Sequence, residues 1–339
     1  MKRRVYLIEK PGSLKRLRLT EAELSEPGDT EVRVAVKSIG LNYADIFTIL
    51  GLYKAAPRKN IIPGLEFSGI VTDTGKSVQV LKKGDRVMGV SKFGAYTDTI
   101  NIDEKYAIPI PDNWSFSQGA SFLVQVLTAW YALINLGNLK KGQTVLINSA
   151  AGGVGLLANR IAKKFDAYTI GITGHAEKLD LLSKEGFNVA FVRDKNFRTN
   201  LQKVLKNREL NLVLETSGDK YFQYLYKALA PQGRIITYGS AQFTPSGNAP
   251  NYALLALKYL RRPRLDPLTM ITENKSVMAF NLIWLYERFE LMWELMDEIN
   301  KLSLDPPFIG HTFPFEKLND ALILFKSGKT MGKVVIEVE

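Results

Sequence analysis

Residues 144–155 read Thr-Val-Leu-Ile-Asn-Ser-Ala-Ala-Gly-Gly-Val-Gly, and Leu156 to Phe165 continue with helical character. A strand that runs through a glycine-rich turn into a helix strongly constrains the fold. It brings free N-terminal amides and the positive end of a helix dipole to one point. Proteins hold pyrophosphates in this way. Val145 to Ile147 have no polar interruption, as a parallel strand covered on both faces requires. Gly152, Gly153 and Gly155 leave no side chain between backbone and phosphate. The turn is not a strict G-x-G-x-x-G, so its weight comes from the strand before it, the helix after it and the pattern downstream.

That pattern alternates. Strands fit Val145 to Asn148, Tyr168 to Ile172, Val189 to Val192, Leu210 to Leu214 and Arg234 to Tyr238, with helices between them. Five such units in series predict an α/β chain with a doubly wound parallel sheet, a Rossmann arrangement. A sixth strand fits Val277 to Leu282, and an amphipathic helix follows over Tyr286 to Leu302. The first third differs. Glu31 to Ile39 alternates with the period of a half-buried strand, and Phe67 to Thr72 and Arg86 to Val90 are further strands between glycine- and proline-rich turns. This predicts a mostly antiparallel, barrel-like unit. A helix over Ser117 to Ala132, capped by Ser115 or Ser117, closes it. Ile309 to Glu339 reads as strand, helix and strand, and is expected to rejoin the first unit.

Composition narrows the function. A chain of 339 residues, 46% hydrophobic and 23% charged, has room for two soluble domains. No apolar run reaches the roughly 18 residues of a membrane span, and no secretory signal follows Lys2-Arg3-Arg4, so a cytoplasmic location is expected. There are no cysteines and two histidines, His175 and His311. A catalytic zinc therefore lacks ligands, and no metal site is expected. The net charge of +11 is spread over short clusters, which reads as a solvated surface and not as a specific nucleic-acid site. Arg261, Arg262 and Arg264, after apolar Tyr252 to Leu260, are the best candidate for a membrane-surface contact; an exposed helix end is the simpler reading.

The second strand of the parallel sheet points to the cofactor. An NAD site usually has Asp or Glu there, bound to the ribose 2′-hydroxyl. Here the stretch is Ile172-Thr173-Gly174-His175, without a carboxylate. This permits a 2′-phosphate, and so NADPH. Thr173 and Gly174 offer donors, Lys178 is a cation one helical turn on, and Arg193 is a second cation at the end of the third strand.

Several motifs then occur in order: Gly40-Leu41-Asn42-Tyr43-Ala44-Asp45, Gly51-Leu52-Tyr53, Pro63-Gly64-Leu65-Glu66-Phe67-Ser68-Gly69, Lys83-Gly84-Asp85-Arg86-Val87, Gly94-Ala95-Tyr96, Leu127-Thr128-Ala129-Trp130-Tyr131 and Ala150 to Gly155. The set resembles the zinc-independent quinone oxidoreductase branch of the medium-chain dehydrogenase/reductase superfamily over nearly the whole chain. The C-terminal third, with Val277 to Leu282 and Pro314-Phe315-Glu316-Lys317, is most similar to vesicle amine transport protein homologues in that branch. Zinc members carry a cysteine near Asn42-Tyr43 and a histidine before the glutamate; this chain has Leu65 before Glu66.

The resemblance implies a GroES-like catalytic domain over 1–124 and 283–339 and a Rossmann domain over 125–282. It implies that Asn42, Tyr53 and Thr128 border the nicotinamide and substrate cleft, with Asn42 and Tyr53 as candidate donors to a developing oxyanion. Ala151, Gly152, Gly153 and Val154 would meet the pyrophosphate, and Gly174 and Lys178 the 2′-phosphate ribose. Gly239, Ser240, Phe280 and Asn281 would flank the nicotinamide, with Lys333 near the cofactor. Family members often carry a tyrosine at the end of the third strand, where this chain has Val192 and then Arg193. The expected activity is hydride transfer from NADPH to a small-molecule acceptor, a quinone or an α,β-unsaturated carbonyl. The alternative is an NADPH-binding, membrane- or vesicle-associated protein with little turnover. A homodimer paired along the sixth strand is the expected assembly.

Overall fold

The computed structural model describes residues 1–339. The chain divides into two compact units. The first comprises Met1–Val124, Pro245–Pro250 and Pro306–Glu339; the second comprises Gln125–Thr244 and Asn251–Asp305.

The first unit begins with β1 (Lys2–Leu7) and β2 (Arg18–Glu23), an antiparallel pair. Then come β3 (Glu31–Gly40), α1 (Tyr43–Ile49), β4 (Glu66–Thr74), β5 (Arg86–Val90), β6 (Thr99–Asp103), β7 (Ala107–Pro109) and α2 (Phe116–Gly119). The second unit holds α3 (Leu123–Trp130, begun in the first), β8 (Thr144–Asn148), α4 (Gly153–Lys164), β9 (Tyr168–Thr173), α5 (Leu179–Lys184), β10 (Val189–Val192), α6 (Phe197–Val204), β11 (Leu210–Glu215), α7 (Tyr221–Ala228), β12 (Leu229–Thr237), α8 (Tyr252–Leu260), α9 (Pro267–Glu273), β13 (Ser276–Ala279) and α10 (Phe289–Asn300). The chain ends in the first unit with β14 (Ile309–Pro314), α11 (Leu318–Lys326) and β15 (Lys333–Glu337).

The second unit is the doubly wound sheet the alternation predicts. Its strand order is β10-β9-β8-β11-β12-β13, and every pairing is parallel. Order reverses between β8 and β11, and ligands of open α/β sheets bind at the carboxyl ends of strands at such a switch point. Val145, Leu146 and Ile147 on β8 are fully buried, which explains their unbroken apolar run. The first unit's sheet runs β14-β15-β3-β4-β5-β7, with β6 also on β3; all pairings are antiparallel except β14 with β15. Its core gathers alternate residues Val32, Val34 and Val36 of β3 with Phe67, Ile336 and Leu322. Tyr6 ties the first strand to the last segment: its hydroxyl donates to Phe315 O at 2.9 Å and its ring meets Phe315 edge-on.

Three expectations change. The helix over Ser117–Ala132 is not continuous. Ser115 caps α2 with a capping box to Gln118, the chain turns at 120–122, and α3 then widens into a π-helical turn at Tyr131–Leu136. The segment Phe116–Leu136 is also long and apolar enough by composition to cross a membrane, contrary to the reading that no run is; 78% of its most apolar window is buried, as in a core helix. Residues 283–305, expected with the first unit, cluster with the second. Arg160 of α4 holds their end, donating to Asp305 O at 3.0 Å, and α10 buries Met292, Leu295, Met296 and Ile299.

Gly155 shows what the glycine turn needs in packing. A Cβ there would lie 2.6 Å from Ala150 O, so α4 packs directly on the backbone of the turn. A Cβ on Gly174 would meet nothing within 4 Å. Gly155→Ala should therefore destabilise by about 1–3 kcal/mol, the usual range for overpacking. Gly174→Ala should stay within about 0.5 kcal/mol. Denaturant unfolding of both variants tests the contrast, and equal effects would refute it.

Candidate active site

At the switch point β8 ends in Asn148, and Ser149 takes a left-handed conformation (φ 56°), a strained state that clusters at functional turns. Ala151 is buried; Gly152 and Val154 are half-buried. Gly152 is the N-cap of α4, which has no side-chain cap bond and no acidic residue in its first turn. Its first amides thus meet neither an N-cap side chain nor a first-turn carboxylate, which suits them to an anion. A Cβ on Gly153 would lie 2.6 Å from Gln125 Oε1, so the buried Gln125 of α3 lies against the turn. Thr128, one turn further along α3, is buried as well.

Across the switch point, the end of β11 carries a polar cluster. Asn148 Nδ2 donates to Glu215 Oε2 at 2.7 Å, and Glu215 Oε1 accepts from the amides of Ser217 and Gly218. Burial raises the Glu215 carboxyl pKa, and these donors oppose it. Ser149 Oγ lies 2.9 Å from Thr216 Oγ1. Sequence reasoning passed over this cluster and Gln125. Glu-Thr-Ser-Gly after an apolar strand, and a lone glutamine in an apolar helix, were the available signals.

The β9 end has Thr173 buried and Gly174 open. Lys178 is 7% exposed, a buried lysine and not a surface one. Burial lowers its pKa, and Glu177 opposes that weakly. Arg193 is already engaged: it donates to Ser217 Oγ at 2.5 Å, lies 3.4 Å from Asp219 Oδ2 and sits over the Tyr221 ring. Its charge is met by Asp219, which weakens its expected role beside a 2′-phosphate.

Beyond β12, Tyr238 and Tyr131 both pack on Phe280, with ring centroids 5.9 and 5.0 Å from it. The widened turn after α3 carries Tyr131 into this group. Gly239 packs against Thr216 O, Ser240 is exposed, and Asn281 opens the turn after β13. The second unit therefore collects Gly239, Ser240, Phe280 and Asn281 at the ends of two adjacent strands.

In the first unit a buried ionic line runs through the Asn42 region. Lys333 Nζ pairs with Glu66 Oε1 and donates to Asn42 Oδ1 at 3.0 Å. Asn42 Nδ2 donates to Glu66 Oε1 (2.9 Å) and Gly40 O (3.2 Å), and Val124 N donates to Glu66 Oε2. Both amide hydrogens of Asn42 are thus committed, so an oxyanion would have to displace one of these bonds. Asp45 Oδ2 accepts from Asn42 N (2.8 Å) and Tyr96 OH (2.9 Å). Tyr53 follows α1, half-buried and edge-on to Phe93. His175 and His311 belong to different units.

Both halves match known proteins. Residues 28–112 match the alcohol dehydrogenase GroES-like domain, and residues 153–298 match the zinc-binding dehydrogenase family. The chain is 32% identical over 321 residues to Quinone oxidoreductase-like protein 2 of Mus musculus, covering 92% of this chain and 86% of that protein. The chain belongs to the medium-chain dehydrogenase/reductase superfamily. It is an oxidoreductase by that membership. It is also 30% identical over 314 residues to the Synaptic vesicle membrane protein VAT-1 homolog of Danio rerio, spanning 91% of this chain but only 64% of that protein's length. Among solved structures, the human VAT-1 homolog-like protein superposes with a TM-score of 0.85 at 24% identity, covering 100% of this chain and 99% of that one. A mycobacterial protein, Rv1454c, complexed with NADPH, superposes at 0.83 with 25% identity, covering 99% of both chains.

Asp45 sets a pH dependence within this superfamily fold. Burial raises its carboxyl pKa from 3.8 to about 7, opposed first by the Asn42 amide and then by Tyr96 and Lys333, while Glu66 adds to the rise. The folded state therefore binds a proton that the unfolded state has lost. This stabilising contribution is complete below the unfolded value of 3.8 and is lost as pH rises towards about 7. Asp45→Asn should flatten the fall in stability over that interval, at roughly 1.4 kcal/mol per pKa unit removed. Thermal unfolding from about pH 4 to about pH 8 reads the slope; an unchanged slope would refute the assignment. Lys333→Met should cost about 3–5 kcal/mol by leaving Glu66 buried without its partner. The Lys333→Met/Glu66→Gln pair should recover part of that loss.

Proposed function

We propose that the chain is a metal-independent oxidoreductase that moves hydride from NADPH to a quinone or an α,β-unsaturated carbonyl. The observation that carries this reading is the α4 N-terminus at the sheet's switch point, fed by the glycine turn and free of side-chain caps and acidic residues. The NADPH-bound mycobacterial relative and the quinone oxidoreductase-like mouse relative support the cofactor and the acceptor class.

The residues fit the cofactor. The amides of Ala151 to Val154 would hold the pyrophosphate. Thr173, Gly174 and Lys178 would hold the 2′-phosphate ribose, where the end of β9 has no carboxylate to repel it. Lys178 is already drawn out of water, so an anion there regains the charge interaction that burial weakens. The Tyr131, Phe280 and Tyr238 rings would give the nicotinamide an apolar wall, with Gly239 and the polar Ser240 and Asn281 beside it. When bound, NADPH supplies the hydride.

On the first unit, the Tyr53 hydroxyl is the stronger candidate for stabilising the acceptor's oxygen, because Asn42 spends its amide hydrogens on Gly40 and Glu66. Asn42 and Lys333 then act as positioning residues. Lys333 gives Glu66 an internal cation, and the chain has no cysteine ligands; together these favour catalysis without zinc. Quinones suit such a site because aromatisation drives their reduction and water can supply the protons. The assembly we assign is a symmetric dimer joined along β13, the edge strand of the parallel sheet.

NADPH oxidation against a panel of quinones and enones tests the reaction. Turnover with at least one acceptor, unchanged after chelator treatment, is expected; no turnover with any acceptor would reject the proposal. Lys178→Ala should weaken NADPH binding about tenfold or more, the value of a charge-assisted bond, and leave NADH nearly unaffected. Equal losses for both cofactors would remove Lys178 from the 2′-phosphate site.

A further inference from the structure

Arg193 follows β10, and its backbone ties it to the end of β9. Its N–H donates to Thr173 O at 2.7 Å, one residue before Gly174. No side chain crowds that point, since a Cβ on Gly174 would meet nothing within 4 Å. From there the side chain reaches Asn148, the last residue of β8, and the loop after β11. All of its hydrogen bonds and its ion pair fall on one nitrogen. Nη1 donates to Ser217 Oγ at 2.5 Å and to Asn148 Oδ1 at 3.4 Å, and lies 3.4 Å from Asp219 Oδ2. The other edge of the guanidinium, Nε and Nη2, donates to no protein atom. The side chain is 24% exposed, and that edge is open to solvent. A planar fork of parallel donors is the shape that matches a phosphate.

Asp219 stands on the far side of that guanidinium. Its Oδ1 accepts from Tyr221 N at 2.9 Å, which fixes the carboxylate at the start of α7 and turns Oδ2 towards Arg193. Arg193 does not need Asp219 to hold its place, because Ser217 and Asn148 take the same nitrogen and the Tyr221 ring lies beneath the group. What Asp219 adds is charge. It offsets the guanidinium that an incoming anion would meet, and it repels a second anion directly. The carboxylate absent from the end of β9 is thus present at one remove, on the loop after β11.

Resting on the NADPH reading above, we propose that Asp219 is a specificity-determining residue of the cofactor site. Arg193 offers its Nε–Nη2 edge to the 2′-phosphate, and Asp219 limits how strongly NADPH is preferred over NADH. NADH lacks that phosphate, so neither residue discriminates in its favour. A purely structural tie between β10 and the loop after β11 would instead affect both cofactors alike.

The test is calorimetric binding of NADPH and of NADH to the full chain with no acceptor present, so turnover plays no part. Asp219→Asn keeps an oxygen that accepts from Tyr221 N and removes the charge. It should tighten NADPH about threefold or more and leave NADH nearly unchanged, and added salt should shrink the gain. Asp219→Ser, which can also accept from Tyr221 N, should give the same sign and serves if the first variant does not fold. Arg193→Gln should weaken NADPH about tenfold or more, again with NADH nearly unchanged. Unchanged NADPH affinity in the Asp219 variants, or equal changes for both cofactors, would overturn the role of Asp219 while NADPH binding by the unaltered chain still upholds the cofactor. An unaltered chain that binds neither cofactor would overturn both.

Discussion

The first unit depends on one buried ion pair. Lys333 and Glu66 lie 267 residues apart in sequence, and their side chains are 3% and 1% exposed. Such a pair adds little net stability, because desolvation offsets most of the attraction. What it does is exclude alternatives: any packing that separates the two strands their residues occupy leaves a charge buried alone. The pair fixes the start of β15 near the start of β4. Asn42 accepts from one member and donates to the other, so the N-terminus of α1 is held to the same point. From there the line runs through Asp45 to Tyr96. Five side chains from four stretches of chain, joined at one link by the Asn42 amide, thus form one continuous polar path in an otherwise apolar core.

That path accounts for what the sequence could and could not disclose. The parallel sheet was legible because local composition specifies it. Val145 to Ile147 must be apolar on both faces, and the alternation of strand and helix permits few topologies. The glycine turn and the missing carboxylate at the end of β9 were legible for the same local reason. Lys333 gave no local signal, because its meaning lies in a partner 267 residues away; the resemblance placed it near the cofactor, and the structure adds the ion pair with Glu66. The burial of Lys178 could not be read from the sequence, because residue type does not report burial. The break between α2 and α3 was hidden by an apolar pattern that continues through it. The exposure of α8 was legible only at its end, where Arg261, Arg262 and Arg264 follow it; the composition of the helix itself is that of a core helix.

The two units solve the problem of buried charge in opposite ways. The first pairs its ions internally, so Glu66 and Lys333 compensate each other. The second leaves the α4 N-terminus without a side-chain acceptor while filling the neighbouring strand ends with satisfied polar groups, Glu215 with its amide donors and Arg193 with Asp219. An anion bound at the α4 N-terminus therefore meets amides with no N-cap side chain and no first-turn carboxylate on them. A reacting group presented to the first unit meets a network already closed on itself. On the proposed reading, this asymmetry selects the chemistry. A carbonyl that needs a strong Lewis acid gains little from an ammonium neutralised by Glu66. A quinone carries its own driving force and asks the protein chiefly for orientation and a dry apolar wall, which Tyr131, Phe280 and Tyr238 supply.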